Sequence, residues 1–261
     1  MPKIRVKDIE LYYEEHGSGE PVLLVPGLGG VGSYWRSQLA DLGRRYRVIL
    51  HDHRGTGQSD RSRITYSVEQ MTDDLLGLMN ALGIERAHVV GQSTGGAIGQ
   101  IMAIEDPERL RKLVLSSTWT AADAFFRRCF AARTEILLRS GAAAYQRASA
   151  LFYPSWWISA NAAQLEHEEE AALSSFPAVE IVASRIEAIL AFDRTAQLGR
   201  ITAPTLVICA RDDHLTPPYF SEALARAIPG AKLVLLERGG HAASRISAEE
   251  FNRAVLAFLE E

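Results

Sequence analysis

Short apolar runs that alternate with helical patterns constrain the fold of this chain more than any other feature of its sequence. Six such runs, rich in Val, Leu and Ile, occupy residues 22–25, 48–50, 87–90, 113–115, 205–210 and 232–236. A short run that is apolar on both alternating faces is typical of a parallel strand covered by helices on both sides of the sheet. The alternation therefore predicts the α/β class, with a mostly parallel, doubly wound sheet.

Two helices are predicted from their first residues. Ser67 with Gln70, and again Ser247 with Glu250, have the spacing of a capping box, in which the serine hydroxyl accepts a hydrogen bond from the helix backbone. Apolar residues follow each pair at intervals of three or four. Residues 4–15 instead alternate between apolar and polar side chains, which predicts antiparallel edge strands.

The alternation of strands and helices stops between residues 120 and 200. This segment is rich in alanine, helical in pattern and carries a cluster of aromatic residues, and a strand pattern returns only at residue 205. We therefore predict one core domain made of residues 1–119 and 201–261, with residues 120–200 inserted as a helical segment.

The composition of the 261 residues excludes several classes of protein. The chain is 47% apolar and 23% charged, as globular proteins are, and its formal charge of −4 offers no basic excess for phosphates. Cys129 and Cys209 form no CxxC pair, the first residues do not resemble a signal peptide, and no apolar stretch approaches the roughly 20 residues of a membrane helix. We expect a cytoplasmic monomer or homodimer that binds neither nucleic acid nor membranes.

A glycine-flanked serine is the strongest chemical motif. Residues 91–96 read Gly-Gln-Ser-Thr-Gly-Gly, directly after the strand at 87–90 and directly before a helical run at 97–104. A nucleophile elbow needs this context, because the serine sits on a sharp turn and the glycines let strand and helix approach closely. Ser93 is therefore the predicted nucleophile.

A serine hydroxyl needs a base, and the base needs an acid that orients it. His241 follows the last strand through Gly239 and Gly240, and the order serine, acid, histidine matches a catalytic triad whose histidine lies late in the chain. Asp213, on the loop after the strand at 205–210, is the preferred acid. Asp212 is its adjacent rival, and Asp123 is a more distant alternative.

Five motifs in matching order resemble the α/β-hydrolase superfamily. They are residues 25–30 (Val-Pro-Gly-Leu-Gly-Gly), residues 52–59 (Asp-His-Arg-Gly-Thr-Gly-Gln-Ser), the Ser93 elbow, the Asp213 loop and Gly239-Gly240-His241. The resemblance implies that the backbone N–H groups of Leu28 and Thr94 form the oxyanion hole and that residues 120–200 are a lid. It also implies a small-molecule substrate and no cofactor.

Within that superfamily, the chain resembles the group of 3-oxoadipate enol-lactonases and aminoacrylate hydrolases of the Rut pyrimidine-degradation pathway. The likeness rests on residues 27–35, 127–130 and 151–154. It implies a serine hydrolase that cleaves a small carboxylic ester, lactone, enamine or amide through an acyl-enzyme. A carbon–carbon bond hydrolase and a cofactor-free perhydrolase use the same triad and remain alternatives, and a low-turnover small-ligand receptor is a third.

Side chains for the substrate pocket are predicted only loosely. The candidates are aromatic residues of the inserted segment or just before it: Trp119, Phe125, Trp156 and Trp157. An acidic substrate would also need one of the arginines of the inserted segment to point inward: Arg127, Arg128, Arg133, Arg139, Arg147 or Arg185. His51 and His53 flank Asp52, but we expect their side chains to diverge at the end of the strand, and no metal site is predicted.

Overall fold

A computed structural model describes residues 2–261, which form one eight-stranded sheet with helices on both faces. The strands are β1 (Lys3–Val6), β2 (Ile9–His16), β3 (Glu20–Val25), β4 (Tyr46–His51), β5 (Ala87–Gln92), β6 (Leu110–Ser116), β7 (Thr205–Ala210) and β8 (Lys232–Leu236). Their order across the sheet is β1-β2-β4-β3-β5-β6-β7-β8. The contacts of β1 with β2 and of β2 with β4 are antiparallel, and all others are parallel. The predicted α/β class and doubly wound sheet are confirmed.

The helices are α1 (Arg36–Leu42), α2 (Val68–Ala81), α3 (Thr94–Glu105), α4 (Ala124–Ala150), α5 (Ser155–Ala160), α6 (Ala162–Ser174), α7 (Val179–Ala191), α8 (Pro218–Ala227), α9 (Ala243–Ile246) and α10 (Ala248–Glu260). Short 3₁₀ turns at Gly32–Trp35, Pro107–Arg109, Thr195–Arg200 and Gly240–Ala242 connect some of these elements. None of the helices in residues 2–261 combines the length and apolarity needed to cross a bilayer.

Both faces of the central strands are buried, which explains why their sequences are continuously apolar. On β3, Leu23 packs into the apolar core that includes α2 and α3, whereas Val22 and Leu24 pack into a second core on the opposite face with residues of α10. Successive side chains of a strand point to opposite faces, so a strand between two helical layers needs apolar residues at every position.

The two predicted helix starts differ in how their serines act. Ser67 Oγ accepts a hydrogen bond from Gln70 N at 3.0 Å, so α2 begins with the predicted cap. Helix α10 begins directly after Ser247 as predicted, but Ser247 Oγ donates to Arg238 O at 2.8 Å and caps nothing. The prediction of a second capping box is wrong, because the Ser247 hydroxyl hydrogen-bonds a carbonyl of the preceding loop instead of the helix backbone.

Helices α4 to α7 lie between β6 and β7, where the sequence pattern lost its strands. We call residues 120–200 the lid. Ala121 bridges Asp193, and Arg194 N donates to Thr120 O at 3.1 Å, so the chain comes back at residues 193–194 to the place where it left the carboxyl end of β6. Residues 195–204 then lead to the amino end of β7. Helices α4 to α7 therefore lie above the carboxyl ends of the parallel strands.

Candidate active site

Ser93 occupies a strained turn between β5 and α3. Its backbone has φ 53° and ψ −116°, in the left-handed half of conformational space that residues with a Cβ atom avoid. A Cβ atom at Gly91 would lie 2.6 Å from Gly96 N, and one at Gly95 would lie 2.7 Å from the carbonyl carbon of Val25. Both flanking positions therefore need glycine for strand and helix to approach.

Hydrogen bonds from the neighbouring strand end hold this turn in place. Ser93 N donates to Ser116 O at 2.9 Å, and Thr118 Oγ1 donates to Ser93 O at 2.8 Å. The turn is thus fixed on both sides of Cα, and the Ser93 side chain lies on the wall of a cavity between core and lid. A rigid backbone that presents a hydroxyl to a cavity suits a nucleophile.

A histidine on the wall of the same cavity pairs with a buried aspartate. His241 is in the turn after β8, and its Nδ1 lies 3.0 Å from Asp213 Oδ2. Burial alone would raise the pKa of Asp213, but His241 and hydrogen bonds from Thr216 hold that pKa below its ordinary value. Asp213 therefore remains a carboxylate beside the imidazole.

The Asp213 carboxylate is saturated with donors. Its Oδ1 accepts from Leu215 N and Thr216 N at 2.9 Å each, and its Oδ2 accepts from Thr216 Oγ1 at 2.8 Å. Thr216 Oγ1 is also 3.2 Å from His241 Nδ1. Sequence reasoning missed Thr216, although a threonine three residues after an aspartate at a turn is a signal for such local bonds.

The two alternative acids, Asp212 and Asp123, accept hydrogen bonds from groups other than His241. Asp212 Oδ1 accepts from Gly240 N at 2.8 Å and so holds the turn that carries His241. Asp123 Oδ1 accepts from Phe126 N at 2.8 Å as the cap of α4, and its Oδ2 accepts from the Tyr219 hydroxyl at 2.7 Å. Of the three candidates, the structure brings Asp213 to the imidazole.

The cavity has a volume of about 810 Å³ and is lined by both core and lid. Leu28 lies on its wall near the elbow, because a Cβ atom at Gly27 would be 3.1 Å from Ser93 Cβ. Thr94 is the first residue of α3, where backbone N–H groups have no partner within the helix. The assignment of the oxyanion hole to Leu28 and Thr94 remains a prediction that this arrangement accommodates.

Two of the six arginines that were candidates for a substrate contact point inward. Arg133 and Arg185 line the cavity, whereas the other four are exposed: Arg127, Arg128, Arg139 and Arg147. Arg185, on α7, is fully buried and donates to Leu28 O at 3.1 Å, to Arg54 O at 3.2 Å and to His53 Nδ1 at 2.9 Å. Burial lowers the pKa of Arg185 to about 10. This arginine ties the lid to the loop that carries Leu28.

The four aromatic residues predicted to contact substrate do not line the cavity. Trp119 is fully buried against Phe126, at 4.7 Å between ring centroids, and Phe125 is exposed on α4. Trp156 is exposed beneath the guanidinium of Arg238, and Trp157 stacks on Tyr153. The aromatic residues that line the cavity are Tyr34, Phe130, Tyr145, Phe152, Tyr153 and Phe176. Helical rotation decides which members of an aromatic-rich segment face inward.

The expectation that His51 and His53 diverge is also wrong. Their ring centroids are 5.1 Å apart, since positions two apart on an extended strand share a face. Burial lowers the pKa of His51 to about 4 and that of His53 well below its ordinary value, and Arg185 adds to the effect on His53. Both rings are therefore neutral parts of the core beneath the cavity.

The sequence model of the family described as α/β hydrolase fold matches residues 20–244. The chain belongs to this family and is a hydrolase. "Putative carbamate hydrolase RutD" of Azorhizobium caulinodans is 44% identical over 262 residues, which cover 100% of this chain and 99% of that protein. The protein of the same name from Caulobacter sp. (strain K31) is 44% identical over 95% of each chain.

A solved structure agrees with this family assignment. The enol-lactonase from Burkholderia xenovorans LB400 superposes with a TM-score of 0.92 at 29% identity and covers 100% of both chains. The resemblance to the group of enol-lactonases and Rut-pathway hydrolases is thereby confirmed.

Proposed function

We propose that this α/β hydrolase is a serine hydrolase that cleaves a small carboxylic ester, lactone or amide, including carbamate-type bonds as the name of its relatives suggests. The observation that carries the proposal is that His241 lines the same cavity as the strained Ser93 and places its Nδ1 3.0 Å from Oδ2 of the buried Asp213. A nucleophile, an orienting acid and a base, in this order along the chain, are the elements of a triad.

The proposed mechanism follows from which groups can donate or accept a proton. Asp213 accepts a hydrogen bond from the Nδ1–H of His241, which leaves Nε2 as the base that removes the Ser93 proton while Oγ attacks the acyl carbon. The oxyanion of the tetrahedral intermediate would be held by the N–H groups of Leu28 and Thr94. His241 then protonates the leaving group, and an acyl-enzyme results. Water, deprotonated by His241, releases the acid and restores Ser93.

The predicted oxyanion hole would lower the activation free energy by stabilising the negative charge of the tetrahedral intermediate. A preorganised donor to the oxyanion is worth about 3–4 kcal/mol in catalysis. The peptide that carries Leu28 N–H is held through its carbonyl, since Gly27 O accepts from Gly30 N at 2.9 Å, and Arg185 donates to Leu28 O on the next peptide. A loop fixed in this way does not have to reorganise during the reaction.

Single substitutions test the triad. We expect Ser93→Ala and Asp213→Asn to reduce turnover of 4-nitrophenyl acetate, a small lactone and phenyl carbamate by at least about 10³-fold, the order seen when a triad member is removed. Asp212→Asn is the matched control for Asp213→Asn, because it changes the adjacent carboxylate, and it should retain most activity. Circular dichroism checks that each variant is folded. Turnover that survives Ser93→Ala would refute the serine mechanism.

A further inference from the structure

The turn that carries the predicted catalytic histidine is not made rigid by its own sequence. Gly239 and Gly240 directly precede His241 and have φ angles of 141° and 59°, which glycine adopts more readily than any other residue. Two glycines in succession give this part of the chain access to many other conformations. The place of the imidazole therefore depends on contacts that other segments make with the turn.

Both backbone groups of His241 have a partner from another segment. His241 N donates to Phe152 O, in the lid, at 3.1 Å, and His241 O accepts from Gln92 Nε2 at 3.1 Å. Gln92 is the last residue of β5 and directly precedes Ser93. The lid thus holds the histidine by its N–H group, and the neighbour of the predicted nucleophile holds it by its carbonyl.

The side chain of Gln92 is buried in a narrow space that fixes its amide. Its carboxamide oxygen lies against Gly27, where a Cβ atom would be 3.4 Å from Gln92 Cδ and would collide with Oε1. With the oxygen placed there, the NH₂ group is directed at the carbonyl of His241. This amide therefore connects the turn of the histidine to the loop that carries Leu28.

Lid residues 152–154 pack directly on the histidine turn. The ring centroid of Phe152 is 6.2 Å from that of His241. A Cβ atom at Gly240 would lie 2.8 Å from Phe152 O and 2.9 Å from Pro154 Cδ, so the lid approaches this glycine as closely as its missing side chain allows. Phe152 also lines the cavity. One lid residue therefore contacts both the cavity and the predicted base.

We infer that Gln92 and lid residues 152–154 position His241 for proton transfer with Ser93. The lid then does more than cover the cavity, because it supplies one of the hydrogen bonds that place the base. This inference rests on the proposed function, since it takes His241 as the base. A shift of about 1 Å in a catalytic group can cost about 10²-fold in rate, so the loss of such a contact is measurable.

Gln92→Met tests the contact from the core. Methionine has nearly the same length but no amide donor. We expect kcat for 4-nitrophenyl acetate to fall by about 10- to 100-fold and KM to change by less than about 2-fold, because His241 serves both acylation and deacylation. Gln100→Met is the matched control: Gln100 is also buried, and its Nε2 donates to Trp119 O at 2.9 Å.

The two glutamine variants lose the same kind of hydrogen bond, so both should have a lower Tm. A large loss of kcat is expected in Gln92→Met alone, and Gln100→Met should retain kcat within about 2-fold. An unchanged kcat in Gln92→Met, or an equal loss of kcat in Gln100→Met, would overturn the role of Gln92.

Gly240→Ala tests the contact from the lid. The new methyl group would meet Phe152 O and Pro154 and force the lid segment away from the turn, so kcat should fall by at least about 10-fold. Gly83→Ala is the matched control, because Gly83 has a similar φ of 64° but no atom within 4 Å of its Cβ. Alanine is strained at both sites, and Gly83→Ala should retain kcat within about 2-fold. A wild-type kcat in Gly240→Ala would overturn the role of the lid.

Amide exchange distinguishes failure of this inference from failure of the proposed function. Exchange of His241 N–H, followed by NMR in Ser93→Ala, reports the bond to Phe152 O without any turnover. Adding Gly240→Ala should speed this exchange by at least about 10-fold, whereas adding Gly83→Ala should change it by less than about 2-fold. If Ser93→Ala still hydrolyses esters, the serine mechanism fails, and faster exchange in Gly240→Ala would still support the hold of the lid on His241. If turnover needs Ser93 but Gln92→Met and Gly240→Ala retain the wild-type kcat, the inference fails and the proposed function stands.

Discussion

The backbone strain at Ser93 provides a direct test of the elbow. At φ 53° and ψ −116°, a residue with a Cβ atom pays about 1–3 kcal/mol, whereas glycine adopts such angles readily. Ser93→Ala removes the hydroxyl and keeps Cβ, and Ser93→Gly removes both. The two variants therefore share the loss of the predicted nucleophile and differ in whether the strain is relieved.

The difference between these variants can be estimated. Glycine gives the unfolded chain extra freedom, which lowers the free energy of unfolding by about 0.5–1 kcal/mol relative to alanine. Subtracting this from the relieved strain leaves Ser93→Gly more stable than Ser93→Ala by up to about 2.5 kcal/mol, with a central value of about 1.3 kcal/mol. In a protein of this size, the central value corresponds to a Tm higher by about 2.5–5 °C.

Scanning calorimetry of both variants, with urea unfolding as a second measurement, gives the answer. The control is Ser174, an exposed residue in the last turn of α6, where glycine should be the less stable replacement. The sign of the glycine–alanine difference is thus expected to reverse between the two sites. If Ser93→Gly is no more stable than Ser93→Ala, the elbow is not strained and the reasoning is refuted.

Three further predictions concern the surroundings of the site. Arg185→Met should lower the free energy of unfolding by about 2–4 kcal/mol and change kcat more than KM, because Leu28 O and the other acceptors lose a charged donor. Urea unfolding measures the loss of stability, and steady-state kinetics measures kcat and KM. An unchanged kcat would contradict the role given to Arg185. The pKa of Asp213 is lower in the folded state than in the unfolded state, so its contribution to stability is present above about pH 4 and is lost as the pH falls further. The Tm difference between wild type and Asp213→Asn should therefore narrow below about pH 4, and a constant difference from pH 7 to pH 3 would argue against it. Gly91→Ala should lower the free energy of unfolding, measured by urea titration, by at least about 2 kcal/mol, because the new Cβ has no space. Gly199→Ala is the control: no atom lies within 4 Å of its Cβ, so the free energy of unfolding should change by less than about 0.5 kcal/mol.

Much of the fold was predictable because its signals are local. All six apolar runs became parallel strands, since a strand buried on both faces must be apolar at every position. The Ser93 elbow was recognisable because glycines have to flank it wherever strand and helix approach so closely. The helix caps show the limit of local signals. Ser67 caps α2, but the Ser247 hydroxyl donates to Arg238 O, an acceptor outside the capping-box pattern.

The side chains that surround a substrate were harder to predict. Trp119 and Phe125 were chosen for their size, yet the cavity is lined by Phe130 and Phe152. A change of one residue on a helix rotates a side chain by about 100°, so neighbours such as Phe125 and Phe126 end in solvent and in the core. Sequence spacing gives the period of a helix, but only packing fixes its rotation.

The sequence by itself determined the class of fold, the strands, the strained serine and the order of the three predicted triad residues. Tertiary structure alone decided that Asp213, rather than Asp212 or Asp123, meets His241. It also decided that Arg133 and Arg185 point inward while four similar arginines remain in solvent. The physical reason is the range of the interactions: backbone conformation and apolar periodicity are set within a few residues, whereas the partner of a charged group depends on chain segments brought together from far apart.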